Sequence, residues 1–253
     1  MTNLKSVVGA AVAAAIVSLA IPTAVLADDD SDRKFGYSVT LTGVSDYLFR
    51  GISLTDHTPA FQPFVEFTYG IAYLDFWGSN VKNGVGDPWE LDIYAGLRPV
   101  TGPISWDVGV LYYQNPDAHF ASDLDYVEFK LGASVTPVTN LTLSLTGYTT
   151  PDVGAASPWT QTVEGSAAYT LPKLAMFTPT LSGVIGYTNA DSRPGWFLGH
   201  DDYTYWNAGV KLTVDKFFMD LRYYGTNIDK DPINNPRDLA RDEFLFSAGV
   251  NLP

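Results

Sequence analysis

From Tyr37 onward the chain alternates between apolar and polar residues. Tyr37, Val39 and Leu41 are separated by Ser38 and Thr40, and Leu41 is followed by Thr42. Trp89, Leu91, Ile93, Ala95 and Leu97 are separated by Glu90, Asp92, Tyr94 and Gly96. Val127, Phe129, Leu131 and Ala133 are separated by Glu128, Lys130 and Gly132. A period of two places each set on its own face of a strand. About twelve such segments follow one another, near 36–50, 60–69, 71–81, 89–98, 104–113, 125–134, 141–149, 161–171, 179–187, 203–214, 217–227 and 243–252. Each is close to the roughly 9–11 residues that a tilted strand needs to cross a bilayer. The weakest patterns are 71–81, which is apolar on both faces, and 179–187, which is rich in glycine.

The connections alternate in length. Those at 69–70, 101–102, 137–139, 173–178 and 215–216 are short; those at 51–59, 82–88, 115–124, 151–160, 189–202 and 228–242 are longer. Short turns on one side and long loops on the other mark outer-membrane barrels. A soluble β-sandwich also alternates in polarity, but gives no reason for loop lengths to alternate. Past residue 27 no apolar run approaches the roughly 20 residues of a membrane helix. A membrane protein of this kind must therefore close its sheet, because lipid satisfies no free backbone N–H or C=O. The expected fold is all-β, an antiparallel transmembrane β-barrel of about 12 strands, within a range of roughly 10–14. An even strand count leaves both termini on the periplasmic side. Aromatics near strand ends suggest two girdles: Tyr47, Phe49, Phe61, Trp89, Tyr112, Tyr187, Trp206, Tyr223 and Phe244 outside, Tyr37, Tyr69, Trp106, Tyr169 and Phe217 inside.

The N-terminus reads as an export signal. Lys5 precedes an apolar run from Val7 to Ala20, and Val25-Leu26-Ala27 offers small residues at the −3 and −1 positions of a cleavage site. The organisation expected is a signal peptide over 1–27 and a barrel over 28–253. The full chain carries 15 Lys+Arg against 28 Asp+Glu; loss of Lys5 leaves 14 against 28, or −14. Such an acidic surface argues against nucleic acid as a partner. The absence of Cys excludes a disulfide scaffold and thiolate chemistry, and suits passage through an oxidising compartment. The expected partners are outer-membrane lipid and lipopolysaccharide, with periplasmic chaperones and the barrel assembly machinery during biogenesis.

With the apolar set facing lipid, the other face is a lumen lined by Arg50, Glu66, Asp75, Glu90, Asp92, Asp107, Glu128, Lys130, Glu164, Lys211, Asp220 and Arg222, with Arg98 near its inner rim. A Lys or Arg facing lipid at mid-depth costs about 2–4 kcal/mol, so these residues fix the strand phase as firmly as the apolar ones. A two-residue turn at Asp215-Lys216 sets Lys211 opposite Asp220. The excess of acids favours passive passage of small solutes or ions, cations above all. A barrel of this size lies between the filled and the open types, so the lumen should be narrow and partly plugged by a loop. The alternatives are a closed structural or ligand-binding barrel that acts through its loops, and a lipid-modifying enzyme. The only candidate bases for the enzyme, His57, His119 and His200, all fall in predicted outer loops. No catalytic residue, cofactor or metal is expected.

Tyr47-Leu48-Phe49-Arg50-Gly51-Ile52-Ser53-Leu54-Thr55-Asp56, followed by Pro59-Ala60-Phe61-Gln62, resembles the opening of the TorF family, proteobacterial outer-membrane proteins long of unknown function and classed as porins. The stretches Trp77–Val81, Glu90–Gly96 and Asp125–Glu128 add to the resemblance, which spans essentially the whole mature chain and is densest before residue 135. It implies an outer-membrane barrel with a pore and supplies no catalytic residues. Barrels of this class commonly end in an aromatic residue. This chain ends Asn251-Leu252-Pro253, with Leu252 in the aromatic's place.

Overall fold

A computed structural model describes residues 34–82, 88–116, 125–153 and 156–252. The signal peptide expected over 1–27, His119 and Pro253 lie outside these residues. Among the described residues every regular element is a strand: β1 (Phe35–Val44), β2 (Leu48–Phe49), β3 (Ile52–Ser53), β4 (Ala60–Tyr69), β5 (Ala72–Asn80), β6 (Trp89–Leu97), β7 (Val100–Thr101), β8 (Ile104–Gln114), β9 (Tyr126–Val138), β10 (Leu141–Thr150), β11 (Thr160–Thr170), β12 (Thr178–Ala190), β13 (Asp202–Val214), β14 (Phe217–Thr226) and β15 (Glu243–Leu252). β2, β3 and β7 are two-residue pieces, and the other twelve form one antiparallel ring. β1 pairs with both β4 and β15, and β6 pairs with β8, so no edge is left open.

The barrel is inverted relative to a soluble protein. Its outer surface is apolar, with Leu131 57% and Leu145 61% exposed, while Glu90 and Glu128 inside are 1% exposed. Aromatics ring both ends on the outside, including Phe61, Trp89 and Phe244 at one end and Tyr37, Tyr69 and Phe217 at the other. The start of β1 and the end of β15 lie at the end with the short turns, as Val39 pairs with Leu252.

Both weak patterns are strands, for physical reasons that differ. In β5 the second apolar set, Tyr73 and Trp77, points inward and is buried by the barrel's contents. On the interior face glycines make room for rings laid flat on the wall. A Cβ at Gly96 or Gly109 would stand 2.5 or 2.4 Å from the Tyr73 hydroxyl, and one at Gly186 would stand 2.2 Å from the Tyr205 ring. Gly186 in β12 thus leaves space for a tyrosine.

The first segment departs from expectation. A strand over 36–50 is replaced by β1, which stops at Val44, and a separate hairpin, β2–β3. Tyr47 and Phe49, expected at the outer rim, are 0% and 2% exposed. The hairpin has folded into the lumen.

Candidate functional site

The hairpin is built by its own sequence. Phe49 pairs with Ile52 across a two-residue tip, Arg50-Gly51. Both tip residues have positive φ, 47° and 83°, as type I′ turns require, and glycine meets that demand without strain. The Leu54 N–H donates to the Tyr47 carbonyl to close its base. Leu48, Phe49 and Leu54 give it a small apolar core, each 2% exposed.

From there it spans the lumen and touches the wall on three sides. The Tyr47 hydroxyl donates to Glu90 on β6 at 2.9 Å, and its ring packs on Trp77 of β5 at 5.2 Å. Arg50 donates to both oxygens of Glu128 on β9 at 3.0 Å each, and its guanidinium lies 4.9 Å from the Tyr148 ring of β10. Gly51 abuts Thr226 of β14 and Tyr205 of β13, where a Cβ would come within 2.5 and 3.3 Å. Above it the 227–242 loop forms a cap, and the Ser53 N–H donates to the Leu239 carbonyl. The cap is folded by Asn235, 1% exposed, which accepts from the Leu239 N–H, and by Asp231. Backbone N–H groups of Asn234 and Ile233 hold the Asp231 carboxyl below the usual carboxylate range.

The twelve residues expected to line the lumen fall into three groups. Arg50 is carried by the hairpin tip itself rather than by the wall, and Glu90, Asp92, Glu128 and Glu164 surround the hairpin. Asp92 accepts from the Tyr94 hydroxyl at 2.6 Å, while its other oxygen is buried and meets no hydrogen-bond partner among the described residues. Tyr205 donates to Glu164. Nearer the short turns lies a second network: Arg98 pairs with Glu66 and lies 3.9 and 3.8 Å from Asp75 and Asp107. Lys130 reaches Asp107 at 2.7 Å, and Tyr73 donates to the same carboxylate at 2.9 Å while lying under the Arg98 guanidinium. On the far wall Arg222 donates to Asp220, Asn207 and Ser182.

The register at Lys211 and Asp220 is the one the turn dictates, and the two are directly paired. Their side chains do not join, however. Asp220 bonds Arg222, two residues along its own strand, and Lys211 lies 4.3 Å over the Phe218 ring. Sequence reasoning missed the interior tyrosines 47, 73, 94, 113, 126 and 205, which supply most of the packing around these charges. Their sign was parity: Tyr94 falls on the same face as Glu90 and Asp92. Among the three histidines, His57 is not a solvated loop residue. Its side chain is 12% exposed at the root of the hairpin, beside Asp46 and Glu243.

A family model described as "Bacterial protein of unknown function (Gcw_chp)" matches residues 26–250. No curated protein matches the sequence. Among solved structures the barrel is similar to the KdgM porin, with a TM-score of 0.55 and 10% identity over 85% of this chain and 98% of that one. It is similar also to the NanC porin, with a TM-score of 0.53 and 11% identity over 86% of this chain and all of the other. At these identities the likeness is one of fold, and the fold is that of outer-membrane porins.

Proposed function

The chain belongs to the Gcw_chp family of bacterial proteins of unknown function, and from its barrel and the contents of that barrel we propose that it is an outer-membrane channel for small solutes or ions, constricted by its own first loop. The observation that carries this reading is a closed ring of twelve strands with an apolar outer surface and charged side chains at mid-height within. Apolar side chains would fill the interior at lower cost in a barrel packed only for stability. The resemblance of residues 47–62 to the TorF family supports the same reading. With eight acids (Glu66, Asp75, Glu90, Asp92, Asp107, Glu128, Glu164, Asp220) against five bases (Arg50, Arg98, Lys130, Lys211, Arg222), the interior favours cations. In this reading residues 1–27 are removed on export and assembly machinery inserts the mature chain. Both termini then face the periplasm, and the girdles meet lipid and lipopolysaccharide.

Among the described residues, catalysis finds no support at the root of the hairpin, where its residue types come together. Ser53, His57 and Asp46 lie together, but the Ser53 hydroxyl donates to Asp46, and the Nε2 atom of His57 faces the backbone carbonyl of Asp238. A nucleophile needs its hydroxyl on the base.

The hairpin across the lumen favours a second reading, a closed barrel that acts through its outer loops. Planar-bilayer recording of the full chain beside a variant with 46–58 replaced by a short Gly/Ser turn separates the two. A channel gives discrete, cation-favouring currents that grow in the variant. Silence from both at every voltage and salt concentration removes the channel.

A further inference from the structure

Three separate segments meet at the root of the hairpin. Asp46 follows β1, His57 precedes β4, and Glu243 opens β15. The Nδ1 atom of His57 stands 3.0 Å from Oδ2 of Asp46 and 3.3 Å from Oε1 of Glu243. Its Nε2 atom stands 3.1 Å from the backbone carbonyl of Asp238. A carbonyl only accepts, so the ring proton belongs on Nε2. In the neutral ring Nδ1 is then a bare lone pair, and it faces two carboxylate oxygens that also offer only lone pairs. With the ring neutral and both carboxyls ionised, three electron-pair donors converge on one point, an arrangement that either a shared proton or a metal cation between them resolves.

The atom of each side chain that does not face this point is tied down elsewhere. Nε2 of His57 is held by the Asp238 carbonyl. Oδ1 of Asp46 accepts from the hydroxyls of Ser53 and Thr55. Oε2 of Glu243 accepts from Arg241 at 3.3 Å. Metal-ligating histidines and carboxylates are oriented in just this way by outer-shell partners, the histidine most often through its second N–H. Separations of 3.0 and 3.3 Å between ligand atoms suit bonds of roughly 2.0–2.2 Å to a common ion. The side chains are 3%, 12% and 15% exposed, which leaves one side for water as a further ligand.

We propose that Asp46, His57 and Glu243 form a binding site for one divalent cation of the zinc class, which fastens both ends of the lumen hairpin to the last barrel strand. One imidazole and two carboxylates make a donor set that zinc accepts, and a purely oxygen-seeking ion such as magnesium would not choose the ring nitrogen. The site does not depend on conduction: a closed barrel could hold it as well.

The test uses the full chain in detergent micelles, stripped with a chelator and titrated calorimetrically with zinc alone. The expected result is one zinc per chain, with affinity at least tenfold weaker in both His57→Gln and Glu243→Gln and unchanged in His200→Gln. X-ray absorption at the zinc edge should show a nitrogen and oxygen shell containing one imidazole. Glu243→Gln keeps the size and the Arg241 neighbour, so a folding defect in His57→Gln would not mask the outcome. Equal binding by wild type and both site variants would overturn the proposal. Absence of stoichiometric zinc binding by the wild type would overturn it as well, and His57-dependent stability that follows pH alone would then put a proton in the position assigned to the metal.

Discussion

Arg50 donates two hydrogen bonds to Glu128 where both side chains are out of water, 5% and 1% exposed. A bidentate pair of this kind is strong once formed and costly to break on one side. Arg50→Ala strands the Glu128 charge, and the loss should be about 3–5 kcal/mol, read by denaturant unfolding in detergent. Arg50→Ala with Glu128→Gln should recover most of that loss; failure to recover it would show that the arginine acts through packing on Phe49 and Tyr148. The sequence placed Arg50 on the polar face, but it could not supply its partner 78 residues away. The same limit appears at Lys211, where a two-residue turn fixes which backbones meet. Three competing neighbours (Asp220, Arg222 and the Phe218 ring) then decide which side chains join.

At the level of elements, period-two alternation defines eleven of the twelve long strands to within a few residues, because the two faces meet solvents of opposite kind. The hairpin escaped for the same reason. Tyr47, Leu48 and Phe49 form an apolar run between Asp46 and Arg50 that continues the first strand by pattern, and a ring that meets lipid cannot be told by pattern from one that fills a lumen. The distinguishing sign was local: Arg50-Gly51 flanked by Phe49 and Ile52 is hairpin-turn chemistry within an apparent strand. The glycines carry a related prediction. Tyr73 lies on Gly96 and Gly109 and from there holds both Asp107 and the Arg98 guanidinium. Gly109→Val should push the ring off the wall and destabilise the barrel by about 1–3 kcal/mol. Gly102→Val, at a turn where a Cβ meets nothing within 4 Å, is not a clean control because its φ is +58°. Gly43→Val, whose nearest neighbour is a carbonyl at 4.0 Å, should be tolerated. Equal melting losses in Gly109→Val and Gly43→Val would refute the role of Tyr73.

For the molecule as a whole, phase and orientation are separate questions. Phase can be checked at Leu131 and Lys130, adjacent residues on opposite faces of β9. A cysteine in place of Leu131, 57% exposed on the outer surface, should react with a lipid-soluble maleimide, and one in place of Lys130 with a water-soluble reagent only. Glu128 is unsuited to that experiment, because the hairpin seals it. Loop length supplies an expected orientation: connections at 45–59, 191–201 and 227–242 crowd one end, whereas the start of β1 and the end of β15 share the other with turns as short as Asp215-Lys216. Outer-membrane barrels carry their short turns on the periplasmic side and their longer loops outside, and the proposed channel is oriented in the same way. An epitope inserted beside Ile233, 85% exposed at the crest of the cap, should therefore be reached by antibody on intact cells. A tag following the last strand should be reached only after the outer membrane is opened. The reverse pattern would invert the barrel in its membrane, and would turn the hairpin and the three ligands at its root toward the periplasm.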